Sequence, residues 1–286
     1  MKKNVIISIV GMIIVIVLLA IYMPSDILLP ELVRPDEYLN AKPYVEFVLF
    51  GNEITIIVPS STLFVFLLGF QIVYLGYSFL KNKDSHTHLW WGIGMLFWGL
   101  GTLSAGLSYQ GLGYELKCDG LDYCQFTSFP EMLYLFLTAI SMGALCIAIA
   151  KTLLSTEKQK TLIYYGVISV LVYTLVLLVG SIISSQFLIS YELFTIFFMP
   201  MFLLFFVISI VQYRKNKDEL NKTLIFTWIL FLIVNVSYYV YFFLGFTELL
   251  YDSTGLWFSA NDVLHIALIG WMTYIQFVLK KRIQLV

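Results

Sequence analysis

An Asp–His pair near the start of the last long apolar segment is the arrangement in this sequence best suited to chemistry. Asp262 precedes His265 by three residues, so a helix places the two side chains about one turn apart. A carboxylate beside an imidazole fixes its tautomer and raises its basicity, as general-base catalysis and metal binding both require. Two alternatives need no chemistry: His265 is a satisfied buried histidine, and Asp262, three residues after Ser259, is part of a helix cap.

Other polar residues could join this pair, because they also lie near the ends of apolar segments. In a hydrolytic site His265 would act as general base, Asp262 would orient it, and Ser104 would serve as nucleophile or stabilise an oxyanion. The four-residue spacing predicts that Ser104 shares a helix face with Ser108. The candidates for ligand or metal binding are Ser108, Asn261, Glu131, Asp119 and Asp122. Helix capping by Glu131 and backbone hydrogen bonding by the serines are the alternatives.

The composition indicates the environment in which these side chains must be held. Of the 286 residues 60% are hydrophobic and 12% are charged, with a mean hydropathy of +0.88. Soluble domains contain roughly 45–50% apolar and about 25% charged residues. A water-soluble fold, a disordered chain and a nucleic-acid-binding protein are therefore excluded. We predict an integral membrane protein whose first partner is the lipid bilayer.

Eight segments are long and apolar enough to cross a bilayer, which takes about 20 residues. They are 4–22, 58–80, 89–110, 129–150, 161–183, 190–212, 222–246 and 258–279. The predicted fold class is all-α, a polytopic transmembrane helical bundle. It comprises an N-terminal anchor helix (1–23), an outer segment (24–57) and a seven-helix core (58–286). The first apolar run is longer than the apolar region of a signal peptide and no Ala-x-Ala site follows it, which favours an uncleaved anchor.

The basic residues predict which loops face the cytoplasm, because short cytoplasmic loops are enriched in Lys and Arg. All but three of the 17 Lys and Arg flank alternate loops or the two chain ends; the exceptions are Arg34, Lys42 and Lys117. Both termini are therefore predicted to be cytoplasmic, in a prokaryotic plasma membrane. Most acidic residues lie on the opposite side, so the net charge of −1 hides a basic inner face and an acidic outer face.

Two local structures are predicted on the outer side. Between residues 44 and 58 a Gly51-Asn52 pair separates two β-prone runs, which is typical of a hairpin. That hairpin is either a lid over the bundle or a simple connector. Cys118 and Cys124 lie in one outer loop, in an oxidising compartment, and we predict a disulfide between them. A metal site built on this pair is the weaker alternative.

Three short motifs resemble those of the superfamily of alkaline ceramidases and progestin and adiponectin receptors. They are Ser104-x-x-x-Ser108, Pro130-Glu131-Met132 and Asn261-x-x-x-His265, and the resemblance covers residues 55–280. That family carries Ser-x-x-x-His on an early helix and His-x-x-x-His opening the last helix. Its three His hold a zinc ion whose bound water attacks a lipid amide. The resemblance implies a seven-helix core and an outward-facing intramembrane hydrolase of a lipid amide or ester.

This chain departs from the family at two of the three zinc positions, which hold Ser108 and Asn261. Serine and asparagine are poor zinc ligands. A zinc ion would therefore need Asp119, Asp122, Glu131 or Asp262 in addition to His265.

Three functions stay open from the sequence. The first is the hydrolase. The second is a non-catalytic sensor or receptor that has lost the metal site and binds a lipid or small apolar ligand. The third is a transporter, which predicts polar residues continuing to the cytoplasmic side. A retinal pigment is excluded, because the last segment has no Lys before Lys280 to form a Schiff base.

Overall fold

The computed structural model describes residues 2–24, 27–29, 32–81 and 86–284. The chain is 79% helical. In chain order the elements are α1 (Lys2–Ile21), α2 (Pro35–Asn40), β1 (Tyr44–Leu49), β2 (Asn52–Ile57), α3 (Pro59–Leu80), α4 (His86–Ala105), a π-helical segment (Gly106–Gly111), α5 (Gly113–Lys117), α6 (Phe129–Leu153), α7 (Thr156–Ile182), a 3-10 turn (Phe187–Ile189), α8 (Tyr191–Asn216), α9 (Glu219–Phe243), α10 (Phe246–Thr254), α11 (Ala260–Tyr274), a second π-helical segment (Ile275–Leu279) and α12 (Lys280–Ile283).

Six of the described helices are long and apolar enough to cross a membrane. They are α3, α6, α7, α8, α9 and the continuous run Ala260–Ile283. The prediction of an all-α membrane bundle is confirmed at this level. The other two predicted spans also form helices but fall outside this group: the apolar part of α1 is the shorter stretch Ile6–Ile21, and α4 is rich in Gly, Trp and His. The loop residues Lys83 and Asp84, used for the predicted topology, lie outside the described residues.

Helix α6 occupies the centre of the bundle. In its most apolar window 83% of the residues are buried, against 28–39% in the other five long helices. Helix α4 lies between α6 and α3, and glycines allow the close approach. A Cβ on Gly99 would lie 2.7 Å from the backbone nitrogen of Val73 in α3. On the other side of α4, a Cβ on Gly94 would meet the Leu145 side chain of α6 at 2.8 Å. Small residues at such contacts let helix backbones pack tightly in lipid.

The hairpin and a disulfide-bonded loop lie at the same end of the bundle, which we call the outer end. Strands β1 and β2 pair antiparallel with Leu49 opposite Asn52. The turn is Phe50-Gly51, one residue earlier than the Gly51-Asn52 pair suggests, and both turn residues have positive φ. This is the backbone pattern of a two-residue hairpin whose twist matches that of its strands. Cys118 and Cys124 form the predicted disulfide.

Candidate functional site

A cavity of about 380 Å³ lies inside the bundle, between α3, α4, α6, α8, α9 and α11. Its walls are mainly aromatic and aliphatic, and the aromatic members are Trp98, Tyr134, Tyr191, Phe194, Phe198, Phe202, Phe206, Trp228, Phe231 and Tyr239. The rings pack on one another: the centroids of Phe202 and Phe231 are 4.7 Å apart in a stacked arrangement. Counted at 1.5 Å per residue, the lining runs from Tyr191, the first residue of α8, to about 22 Å below the outer ends of α8 and α9, at Phe206 and Trp228.

His265 lies in the outer half of this cavity, about 8 Å below the start of α11. Its side chain is buried, and Nδ1 has no hydrogen-bond partner among the described residues. Polar neighbours in the wall bond to their own helices: Thr138 Oγ1 donates to the Tyr134 carbonyl at 2.7 Å, and Asn235 Nδ2 donates to the Phe231 carbonyl at 2.8 Å. A buried nitrogen without a partner costs free energy, so His265 offers a hydrogen-bonding position to a molecule inside the cavity.

The exposure of lining residues in α8 and α9 indicates a sideways opening of the cavity between these two helices. Met199 and Leu203 of α8 line it and are also exposed on the bundle surface, as are Leu232 and Val236 of α9. These four residues lie about 10–18 Å from the outer ends of their helices, counted at 1.5 Å per residue. In a hydrocarbon layer about 30 Å thick, this depth is within the acyl chains rather than in water.

A second polar cluster lies apart from the cavity, at the junction of the π-helical segment, α5 and α6. Lys117 at the end of α5 forms an ion pair with Glu131 in the first turn of α6, and both side chains are buried. Ser108 donates to Glu131 Oε1 at 2.9 Å and is hydrogen-bonded to Ser128. The Lys117 Nζ also lies 5.2 Å from the centroid of the Tyr109 ring. The charge of Glu131 is thus compensated, and the cluster joins three elements at the outer end.

Ser104 and Ser108 have different surroundings in the structure. Residues 106–111 form hydrogen bonds of the i to i+5 type, continued by Leu112 N to Leu107 O, so each hydrogen-bonded loop encloses one residue more than in an α-helix. The shared face of Ser104 and Ser108 stays a prediction. Ser108 is fully buried against Glu131, and Ser104 is buried in α4 outside the set of described residues that line the cavity.

Asp262 acts as a cap rather than as a partner of His265. Its Oδ2 accepts hydrogen bonds from the Ser259 backbone nitrogen at 2.6 Å and from Ser259 Oγ at 2.7 Å. Its own backbone nitrogen donates to Ser259 Oγ at 3.3 Å, which completes a capping box. Ser61 of α3 reaches the same Ser259 hydroxyl at 3.0 Å. Among the described contacts no hydrogen bond joins Asp262 to His265, so the predicted orienting role is not present in this arrangement.

The remaining predicted residues are not among the described residues that line the cavity around His265. Asn261 is half-buried in the first turn of α11, and Asp119 and Asp122 are exposed on the disulfide loop. Of the predicted set, the structure brings Ser108 and Glu131 into contact.

A zinc ion does not fit the donors that the structure provides. Among residues 2–24, 27–29, 32–81 and 86–284 no group of three His, Cys, Asp or Glu is close enough to hold a metal ion. A catalytic zinc normally needs three such ligands. Glu131 is already bonded to Lys117, and Asp262 to Ser259.

Comparison with known proteins gives no relative: no family model, no curated protein and no solved structure matches this chain. Function must therefore be argued from the site itself. Sequence reasoning missed the aromatic cavity and the burial of Lys117. A signal for the second was present, because Lys117 is one of only three basic residues assigned to the acidic outer side.

Proposed function

We propose that this protein binds an apolar or amphipathic ligand of the lipid class inside its helical bundle, as a non-catalytic sensor or receptor. The sideways opening between α8 and α9 carries the proposal, because a molecule dissolved in the acyl chains can enter there without crossing water. The aromatic walls would bury its apolar part. His265, in the outer half of the cavity, would hydrogen-bond its polar group.

Binding accounts for the arrangement better than hydrolysis does. A hydrolase needs an oriented base and a group that stabilises developing negative charge. In this chain Asp262 is bonded to Ser259, Ser108 is bonded to Glu131, and the described residues provide no zinc site. Membership of the ceramidase superfamily stays a prediction. A transporter would need the cavity to continue to the inner end, whereas its described lining ends near Phe206 and Trp228.

Hydrolysis of a lipid amide or ester is the second candidate. Its support is a pair of unpartnered atoms one helical turn apart: Asp262 Oδ1 and His265 Nδ1 are both buried without a hydrogen-bond partner among the described residues. Rotation of the two side chains toward each other would satisfy both atoms and create an oriented base at the cavity wall.

Lipid analysis of the purified protein tests the binding proposal. The wild type and two tryptophan variants would be purified in a mild detergent, extracted with organic solvent and analysed by mass spectrometry. Leu268→Trp fills the cavity, whereas Leu171→Trp adds the same bulk on the exposed surface of α7. We expect the wild type and Leu171→Trp to retain a lipid that Leu268→Trp loses. Equal lipid content in all three proteins would overturn the proposal.

A turnover assay separates binding from hydrolysis. The wild type and His265→Ala would be incubated in vesicles with a fluorescent acyl amide and a fluorescent acyl ester. Binding without catalysis predicts no release of fatty acid by either protein and weaker retention of the bound lipid by His265→Ala. Release by the wild type that is absent from His265→Ala would establish the hydrolase instead.

We further propose eight membrane crossings, with α1 and α4 added to the six long apolar helices, in a prokaryotic plasma membrane. Both chain ends would be cytoplasmic, in accord with the distribution of basic residues. Single cysteines at Ser253, exposed in α10, and at Lys158, exposed near the start of α7, provide opposite test positions. A membrane-impermeant maleimide should label Ser253→Cys but not Lys158→Cys on intact cells. The reverse pattern would show that the topology is inverted.

A further inference from the structure

One face of the β1–β2 hairpin is apolar except for Asn52, which lies opposite Leu49 beside the turn. In the strand register Val45 pairs with Ile56, and Phe47 pairs with Ile54. Side chains alternate across a strand, so Leu49 lies on the same face. We call these five residues the apolar hairpin face: Val45, Phe47, Leu49, Ile54 and Ile56.

The C-terminal half of β2 holds the hairpin on the bundle. Thr55 and Ile57, on the face opposite to the apolar one, are buried, and the Thr55 backbone nitrogen donates to the Glu115 carboxylate of α5. Because alternate residues of β2 point to opposite sides, the apolar hairpin face is directed away from this contact. Every residue of β1 is exposed, including Val48 on the opposite face.

The turn at the tip of the hairpin adds a further apolar group. Phe50 is 96% exposed, the largest exposure among the large apolar side chains described. Its positive φ, followed by that of Gly51, makes the tight turn that projects the ring outward. A hairpin surrounded by water would turn such a face inward, because contiguous exposed apolar patches favour association with another apolar surface.

We propose that the apolar hairpin face and Phe50 insert into the interfacial region of the outer lipid leaflet. A single residue, Val58, separates β2 from Pro59 of the long apolar helix α3, so the base of the hairpin lies at the membrane surface. Leu63 and Leu67 of α3 are exposed on the bundle surface. The apolar hairpin face thus continues a lipid-facing surface, and strands of six residues extend it by about 20 Å.

The distribution of polar groups on the hairpin agrees with a lipid partner. Glu46 and Glu53 pair with Thr55 and Val48 and lie on the face opposite to the apolar one. That face also carries Tyr44, Val48 and Ile57, but both carboxylates of the hairpin are on it, and a charged side opposite an uncharged one is the sidedness of elements that lie in the membrane interface. Aromatic side chains such as Phe50 favour that depth over bulk water.

Photo-crosslinking at neighbouring residues tests the insertion. A benzophenone side chain would replace Phe47, on the apolar hairpin face, or Val48, the next residue and on the opposite face. A third variant would carry it at the exposed Asp122 of the disulfide loop. Each purified protein would be reconstituted in vesicles of phosphatidylethanolamine and phosphatidylglycerol, irradiated and weighed by intact-protein mass spectrometry.

We expect the Phe47 variant to gain the mass of one phospholipid several-fold more often than the Val48 and Asp122 variants. A benzophenone in place of Phe50 should behave like the one at Phe47. A covalent dimer at Phe47 would overturn the proposal and identify a second copy of the chain as the partner. Equal adduct yields at Phe47, Val48 and Asp122 would also overturn it, because the apolar hairpin face would then contact lipid no more than the control positions do. Intact formation of the Cys118–Cys124 disulfide in every variant shows that the outer end has folded.

Discussion

Lys117 and Glu131 form an ion pair inside the outer end of the bundle, where both side chains are almost completely shielded from solvent. The pair joins α5 to α6, and Ser108 connects it to the π-helical segment. Each buried charge is compensated only while its partner is present. Removal of one leaves the other buried and unpaired. The outer end of the bundle therefore depends on this contact.

Removing one member of the pair should destabilise the protein strongly. Glu131→Ala leaves the Lys117 charge buried without its partner, at a cost of about 3–5 kcal/mol. We expect a clear fall in the temperature at which half of the detergent-solubilised protein leaves the monodisperse peak in size-exclusion chromatography. Glu192→Ala, which removes an exposed carboxylate from the first turn of α8, is the matched control. The double variant Lys117→Met/Glu131→Leu should recover part of the loss, and a Glu131→Ala protein as stable as the control would contradict this account.

The disulfide should contribute measurably to stability although its loop is short. Cys118 and Cys124 are six positions apart, and loop-closure entropy for so small a ring corresponds to about 2 kcal/mol. Cys118→Ser/Cys124→Ser should therefore unfold at a lower temperature than the wild type. Thiol counting supplies an independent check: the denatured wild type should show one reactive thiol, that of Cys146, before reduction and three after it. Three thiols before reduction would show that the bond does not form.

Close packing of α3 on α4 predicts opposite effects of one substitution at two glycines. In Gly99→Ala the new Cβ would lie 2.7 Å from the Val73 backbone nitrogen, which cannot move without shifting α3. Such overpacking costs about 1–3 kcal/mol. Gly270→Ala meets nothing within 4 Å and should be neutral or gain roughly 0.5–1 kcal/mol of helix stability. Thermal unfolding of both variants measures the difference, and equal effects would mean that α3 and α4 are not in this contact.

The raised pKa of Tyr38 leads us to expect a loss of stability at alkaline pH. Burial raises the pKa of its phenol; the Lys117 charge acts in the opposite direction, and the Glu131 charge adds to the increase. Because the folded pKa exceeds the unfolded value of about 10, the contribution to stability is complete below that value and is lost as pH rises through the folded pKa. The unfolding temperature of the wild type should therefore fall more steeply above about pH 10 than that of Tyr38→Phe. Parallel curves of unfolding temperature against pH for the two proteins would show that Tyr38 does not cause the loss of stability.

The helices, the hairpin and the disulfide were accessible from sequence because each depends on local pattern. Long apolar runs can satisfy their backbone groups in lipid only as helices or closed barrels, and the spacing of Cys118 and Cys124 in one outer loop favours their pairing. The turn lies at Phe50-Gly51, one residue before the predicted position. A β-prone run indicates that a strand is present, but it does not fix the last residue that pairs.

The site was less accessible because its geometry depends on contacts between distant parts of the chain. Aromatic residues at helical spacing look the same whether they fill a core or surround a cavity. Asp262 satisfied two patterns at once, a cap and a partner for His265, and the hydrogen bonds from the Ser259 backbone nitrogen and hydroxyl hold it as a cap. The burial of Lys117 follows from the path of the loop that places it beside Glu131, which no local pattern encodes.

The opening between α8 and α9 has a consequence for how the cavity would fill. For a ligand that arrives through the acyl chains, occupancy of the cavity depends on the mole fraction of the ligand in the bilayer, not on its concentration in water. A compound that partitions strongly into membranes could therefore occupy the cavity with few specific contacts, and its occupancy would not change when the aqueous volume is diluted at constant lipid. Added lipid, by contrast, would compete with the protein by diluting the ligand in two dimensions.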